Sequence, residues 1–375
     1  MTLVIFFIIL SLLVLVHEFG HFITAKKSGI KVEEFGLGIP PRVYGKKFGE
    51  TLYSLNLLPL GGFVKLFGED TIDEDIENHP DSYASKPWYK RFIVITAGVF
   101  MNLVLAVFIY YIFFIFNNFQ SFSLPIIYEH NFRFGEIVKN DSVIMGISDD
   151  SNLNDYDINL GDSIVNINGI NINSIEDVRD VLNSSENIDK GIATIIVKDT
   201  NNKYDKEYNI ETITLEDGVV VLGVYLGSTL NINYSSNVQK ALSGFMHTYN
   251  MFTYSVGSMY HLISTSIKNS DIQMVSQGVS GPVGIYNVVG SIVNHSDQDI
   301  FLSLLDFTAL LSISLAFINM LPIPALDGGR LIFIIIEVLR GGKKLNRELE
   351  AKIHGVGMLL LLGLFVLITA KDLLQ

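Results

Sequence analysis

Four stretches of the chain are apolar on every face rather than on one. Residues 3–16 contain a single polar side chain, Ser11, and the apolar character resumes through Phe22-Ile23 before Lys26-Lys27. A second stretch covers 92–116, and a third covers 301–321 and continues past two prolines to Leu339. The fourth is 356–370. A hydrocarbon layer about 30 Å thick takes roughly 20 helical residues. The first three stretches reach that length, and the fourth relies on Lys371 extending to the interface. The pattern predicts four transmembrane helices. The first has no basic residues ahead of it and no small-residue cleavage site, so it reads as a retained helix rather than a signal peptide. Residues 241–267 are also apolar, but Ser, Thr, Tyr and His are spread through them. They read as an interfacial amphipathic helix rather than a fifth span.

Between the second and third stretches the periodicity changes to strand and turn. Leu160-Gly161-Asp162 leads into Ser163–Ile167, and Asn168-Gly169 marks a type I′ hairpin turn. Ser174, three residues before Asp177, opens a short helix in the manner of a capping box. A strand over 193–198 follows. The pattern is that of a small α+β domain over 124–217. The order LGD…ING…I-x-S-x-E-D resembles a PDZ domain, a fold that binds extended peptides by strand addition. The expected division is 1–117, with a helix, a cytoplasmic-side β-hairpin loop and a second helix; 124–217, PDZ-like; 218–300, amphipathic and helical; and 301–375, with the last two spans. The expected fold class is a mainly α-helical polytopic membrane protein with an inserted α+β domain.

Charge orients this arrangement. Segment 24–91 carries ten Lys and Arg and 340–354 carries five, whereas the long stretch 117–302 carries nine. By the positive-inside rule the first two face the cytoplasm, and both termini and the inserted domain lie outside. Trp88 and Tyr89, just before Lys90-Arg91, suit an interfacial anchor. The whole chain has 26 basic and 39 acidic residues, a net −13, and 128–217 alone holds nineteen acidic against seven basic residues. Such a chain is not a nucleic-acid binder. It has no cysteine. Disulfides and thiolate metal sites are excluded, and a transition metal must be held by His and carboxylate.

The first apolar helix carries such residues. His17-Glu18-Phe19-Gly20-His21 is an HExxH motif, whose two histidines share one helix face while the Glu stands beside them. Glu and His at membrane depth are costly unless paired or bound. A two-His zinc site needs a third protein ligand and an open position. Residues 319–330 (NMLPIPALDGGR) interrupt the third apolar stretch with prolines and glycines, which break the helix. Irregular backbone at that depth implies a cavity, and Asp327 can face it. Taken alone, Asp327 would read as a helix cap. Opposite HExxH it reads as a metal ligand. The other histidines, His79, His130, His247, His261, His295 and His354, have no partner at metal spacing and read as solvated or interfacial. Arg330 is expected to snorkel or to pair with a carboxylate.

HEFGH in the first helix, NMLPIPALDGG in the third and the PDZ-like insertion between them resemble the site-2 protease family, in particular its RseP-type bacterial intramembrane zinc proteases. Pro59–Lys65 (PLGGFVK) with Gly68-Glu69 is similar to that family's membrane-associated β-hairpin. Gly98-Val99-Phe100-Met101-Asn102 matches its second-helix motif, with Val99 where Pro is usual, and Gly281–Ile285 (GPVGI) matches the segment before the third helix. The resemblance implies His17, His21 and Asp327 as zinc ligands, Glu18 as the base, and Asn319 as the group contacting substrate backbone or tetrahedral intermediate. It also implies Gly61, Gly62, Phe63, Val64, Lys65 and Asn102 as substrate-binding residues. The chain departs from the family in having room for one PDZ domain, not two, and in carrying Asp149-Asp150-Ser151-Asn152 before the domain's first helix.

The expected function is regulated intramembrane proteolysis of single-span proteins already trimmed outside, such as anti-sigma factors or signal-peptide remnants. The expected location is a bacterial cytoplasmic membrane. The partners would be transmembrane peptides, the bilayer, and a peptide or outer tail at the PDZ-like domain. An edge strand in the hairpin around 53–67 is expected to hold the unwound substrate. Two other readings stand beside this one: a catalytically inactive membrane PDZ scaffold with a structural metal, and an unrelated membrane HExxH enzyme, which predicts neither the insertion nor LDGG.

Overall fold

The computed structural model describes residues 1–69, 73–148, 151–184, 191–198, 205–215, 218–271, 278–295 and 299–374; Asp149-Asp150 lies outside them. The chain forms two compact units. One is Met1–Phe116 with Leu242–Gln375, and the other is the inserted Asn117–Ala241. The first unit opens with α1 (Thr2–Lys27), β1 (Val32–Phe48), β2 (Thr51–Leu66), the single turn α2 (Glu74–Glu77) and α3 (Trp88–Phe116). The inserted unit carries β3 (Leu124–Pro125) to β11 (Val224–Asn233), with α4 (Ile175–Leu182) and a closing α5 (Asn237–Ala241). The chain returns as α6 (Ser243–Asn269), α7 (Pro282–His295), α8 (Ile300–Met320), α9 (Asp327–Leu339) and α10 (Arg347–Leu374). Among the described residues α1, α3, α8 and α10 are long and apolar enough to cross a membrane, the four that the apolar pattern predicts.

Helix α1 shows why. Phe6, Ile9, Leu13, His17 and Gly20 are buried at a three-to-four-residue spacing, while Leu3, Val4, Ile8 and Leu12 on the other faces are exposed. A helix that is apolar all round yet covered by protein on one stripe suits lipid as its solvent. The stripe meets α3 where Gly20 has no side chain: a Cβ there would lie 2.7 Å from the Ala97 carbonyl carbon. Small residues at such crossings let helices close up where no hydrophobic drive operates between them. Farther out, Ile9 and Leu13 enclose Val289 of α7 together with Leu304, Phe307 and Leu311 of α8. Helix α6 is not among the four candidate spans, and Gly244 sets its first turn against Tyr111 of α3.

Two ion pairs tie the helices of this unit to one another and to the hairpin. Arg91 of α3 donates to Glu337 of α9 at 2.5 Å with both side chains buried, and Arg330 of α9 donates to Glu69 just after β2. Arg330 thus takes the carboxylate alternative. Helix α10 meets the rest of the unit at its two ends. His354 accepts a hydrogen bond from the Ala325 N–H at 3.0 Å, and Asp372 accepts from the Gly281 and Gly284 N–H groups at 2.8 and 3.0 Å. Of the histidines expected to be solvated or interfacial, His247 is not, and His354 is half-buried with a partner in the chain. His354 contacts the loop before α9, and His247 is buried edge-on to Tyr110 and Phe114. Neither contact has a sequence signature, because each joins residues far apart in the chain.

The β1–β2 pair differs from the hairpin expected around 53–67. Those two segments do not pair with each other across Pro-Leu-Gly-Gly. Both pair with β1, which runs between them: Gly36 stands opposite Ser54 on one side and Phe63 on the other, and Leu37 opposite Leu55 and Gly62. Gly36 permits this because a Cβ there would lie 2.6 Å from Phe63 Cζ and 2.9 Å from Ser54 Oγ. Residues 62–66 are left with β1 as their one strand partner among the described residues.

The inserted unit is a sheet in the order β3-β11-β4-β5-β7-β8, antiparallel throughout, with β4 (Glu136–Ile147), β5 (Ser163–Ile167), β7 (Ile192–Lys198) and β8 (Asp205–Glu211). Helix α4 packs Val178, Val181 and Leu182 into a core with Ile144, Ile164, Ile167, Ile195 and Ile210. The sheet runs past residue 217, since β11 pairs with β4 along its length. Asn168 and Gly169 have φ of +51° and +82°, both positive as a type I′ turn requires, and join β5 to β6 (Ile170–Asn171). The capping box is present: Ser174 Oγ accepts from the Asp177 N–H at 3.1 Å, and Asp177 accepts from the Asn173 and Ser174 N–H groups. The Asn173 N–H, followed by Ser174, holds the Asp177 carboxyl below its usual range. With the folded pKa depressed, this contribution is present at neutral pH and is lost in acid as the carboxylate protonates. Ser174→Ala should destabilise the unit by about 1 kcal/mol, read as faster amide exchange across α4 with α1 and α3 unaffected.

Candidate metal centre

The centre is built from two elements that meet inside the apolar layer. Helix α1 presents His17 and His21 one turn apart, with imidazole centroids 4.8 Å apart. His21 Nδ1 donates to the Val94 carbonyl of α3 at 2.8 Å. That bond places the proton on Nδ1 and leaves the Nε2 lone pair pointing into the site. His17 is set by Asn102 of α3, wholly buried, whose amide nitrogen lies 3.3 Å from His17 Nδ1 while its Oδ1 has no hydrogen-bond partner. With that amide turned by 180°, which exchanges nearly isosteric N and O, Oδ1 would accept from a protonated Nδ1, and the His17 Nε2 lone pair would face the site as that of His21 does.

Asp327 arrives by a tight return of the chain. Helix α8 ends at Met320, and Pro322-Ile323-Pro324 forces the backbone away from its axis. Helix α9 then folds back against this loop. A Cβ at Gly328 would lie 2.6 Å from the Met320 carbonyl carbon, and one at Gly329 would lie 2.9 Å from Pro324 Cα. The two glycines are therefore what allow Asp327 to reach α1. The cap alternative does not hold: the N-cap is Leu326 and no side chain caps the helix. Asp327 Oδ2 lies 3.1 Å from His17 Nε2 and 3.4 Å from His21 Nε2, and the two imidazole nitrogens are 3.2 Å apart.

Three lone-pair donors thus face one another at 3.1–3.4 Å, and Asp327 Oδ2 is buried with no hydrogen-bond donor. In an apolar setting this repels unless a cation lies between them. Ligands about 2.0–2.1 Å from a tetrahedral zinc stand about 3.3 Å from each other, so the triangle fits one face of that polyhedron. Among the described residues these three form the one group of His, Cys, Asp or Glu with metal-binding spacing. Gly98 of α3 leaves the space open, since a Cβ there would lie 2.7 and 2.8 Å from His17 Cε1 and Nε2.

Glu18 stands beside the triangle, and its carboxylate receives the backbone N–H of Val64. Asn319 Nδ2, on the last turn of α8, is 3.4 Å from His17 Nε2. Both Asn319 and Asp327 line an apolar cavity of about 440 Å³ walled by Phe92, Thr96, Phe100 and Leu331. Of the hairpin residues, Gly62 passes Val14 and Glu18 of α1, and Gly61 has φ +125°. Phe63 packs over Gly36, and Lys65 points outward to Glu33 at 2.9 Å. The structure thus gathers Glu18, Asn319, Gly62 and Val64 around the ligands, sets Asn102 behind His17, and leaves Lys65 apart.

The sequence profile of peptidase family M50 matches residues 5–364. A protein of Fusobacterium nucleatum named as a zinc metalloprotease is 32% identical over 383 residues, covering 99% of this chain and 98% of that protein. The regulator of sigma-W protease RasP of Bacillus subtilis is 26% identical over 463 residues, covering 99% and 98%. A chloroplastic membrane metalloprotease of Arabidopsis thaliana, ARASP2, is 30% identical over 98% of this chain and 78% of its own length. With the profile spanning nearly the whole chain and a two-His, one-Asp triangle set in apolar helices, the chain belongs to peptidase family M50, the zinc-dependent site-2 protease family, and is an intramembrane zinc metalloprotease of that family.

Proposed function

We propose that the protein cuts single-span membrane proteins within the bilayer, with His17, His21 and Asp327 holding zinc and Glu18 as general base. The observation that carries this reading is the triangle of donor atoms at 3.1–3.4 Å with Glu18 beside it, reached through an apolar cavity. Zinc bound there supplies Lewis acidity, lowering the pKa of water to about 7 and polarising the scissile carbonyl. Glu18 takes the proton of the attacking water and delivers it to the leaving amine. The Asn319 amide donates to the oxygen on which charge develops, a role worth about 3 kcal/mol in other hydrolases. A transmembrane substrate must unwind before attack. The strand at 62–66, with β1 on one edge, offers backbone groups to replace the bonds lost. Asn102 acts through His17, fixing its tautomer.

The inserted unit is proposed to be a PDZ-like domain on the outer side of a bacterial cytoplasmic membrane, where it admits trimmed substrates and binds outer tails. Its strand-and-capped-helix pattern and the charge asymmetry of the flanking segments support this. An anti-sigma factor is one substrate of this class, in keeping with the name of the Bacillus relative. Detergent-purified protein should cut a model transmembrane peptide, a chelator should stop it, and added zinc should restore it. Metal-loaded protein that binds peptides through the inserted unit yet never cuts them would favour the inactive scaffold.

A further inference from the structure

Helix α10 touches the loop carrying Asp327 at two points one turn apart. His354 Nδ1 accepts the Ala325 N–H at 3.0 Å, and the imidazole lies 5.2 Å from the Phe333 ring of α9, so the ring is held between loop and helix. At Gly357 the helix lays bare backbone on the loop: a Cβ there would stand 2.6 Å from the Pro324 oxygen and 2.7 Å from its carbonyl carbon. The residue so gripped is in an unusual conformation. Ala325 has φ +78°, a left-handed backbone that a residue with a Cβ enters only under constraint. Asp327 follows two residues later, so this turn sets the direction from which its carboxylate approaches His17 and His21.

We infer that His354 is a positioning residue for the metal centre. By accepting the Ala325 N–H it holds the left-handed turn that aims Asp327 at the two histidines. This deepens the proposed zinc reading and rests on it. The imidazole is not one of the three donor groups, and the action inferred for it passes through its backbone hydrogen bond to Ala325. Only an acceptor at the Nδ1 position performs the task, which separates the role from general packing.

The test uses the full-length protein in detergent and reads zinc retention against a chelator, kcat and KM on a transmembrane peptide, and thermal stability. His354→Ala should weaken zinc retention about 10–100-fold, the range for groups that orient metal ligands, and lower kcat with little change in KM. His354→Asn, whose Oδ1 can stand in for Nδ1, should recover most of both. His354→Gln, whose amide falls at the Nε2 position, should resemble His354→Ala. Ala325→Gly supplies an independent arm: glycine enters the left-handed region unaided, so removing the His354 imidazole in that background should cost several-fold less. The inference falls if His354→Ala holds zinc as the unaltered protein does. It also falls if the Asn and Gln variants are equally impaired, or if the Ala325→Gly background leaves the loss undiminished. An unaltered protein that holds no zinc, or a Glu18→Gln variant that cuts at full rate, would instead overturn the metal reading itself.

Discussion

Glu18→Gln should keep its zinc and lose turnover by about 10²–10⁴-fold, the contribution of a positioned general base. His17→Ala and His21→Ala should lose metal and turnover together. The division of roles follows from geometry. The three donor atoms that converge at 3.1–3.4 Å belong to His17, His21 and Asp327, whereas the Glu18 carboxylate is turned to the Val64 N–H on the hairpin. Glutamine preserves the shape and one acceptor but takes up no proton near neutral pH. Metal analysis of purified Glu18→Gln, beside its cleavage rate, decides the matter: an empty site in that variant would make Glu18 a ligand and dissolve the assignment.

Gly98→Ala should be nearly as damaging, although residue 98 has no side chain and does no chemistry. The added methyl would sit 2.7 Å from His17 Cε1 and 2.8 Å from His17 Nε2, well inside van der Waals contact. Neither imidazole can retreat, because His21 is tied to the Val94 carbonyl and His17 is backed by Asn102. The methyl must displace a ligand or push α3 from α1, where Gly20 and Ala97 already touch. Zinc retention should fall by at least about 100-fold, the upper end for disturbances next to a ligand, while far-ultraviolet circular dichroism stays that of a helical protein. Full zinc occupancy in Gly98→Ala would show that the cradle is looser than these distances imply.

What the sequence made legible was local. HExxH announces two groups on one helix face, and a run of prolines and glycines in an apolar stretch announces a break, so the three donor residues could be named from spacing and residue type. What stayed hidden depended on partners far along the chain. Two strand-like segments joined by Pro-Leu-Gly-Gly suggest a simple hairpin; that β1 slips between them is decided at Gly36, thirty residues before the second segment ends, by close packing that periodicity does not encode. Strand β11 falls beyond the acidic run that marked the inserted domain, so residues 224–233 read as part of a helical region although they complete the sheet. Asn102 reads from the sequence as a substrate-binding residue by resemblance alone, and His354 as solvated or interfacial, until the fold places one behind His17 and the other beneath Ala325.

The sparse attachment of α10 bears on how this protein answers to its solvent. In water, a helix so apolar would be driven onto its neighbours. In hydrocarbon that drive vanishes, because lipid chains are as good a partner as leucine. What keeps α10 in place is then a few directional contacts, from His354 and Gly357 to the loop and from Asp372 to the N-terminus of α7, with Leu359, Leu360, Val366 and Leu367 exposed between them. A bilayer of matching thickness presents both ends to their partners at once. A thinner or thicker one, or a small detergent micelle, should set them in competition, and α10 should then give way before α1, α3 or α8 part.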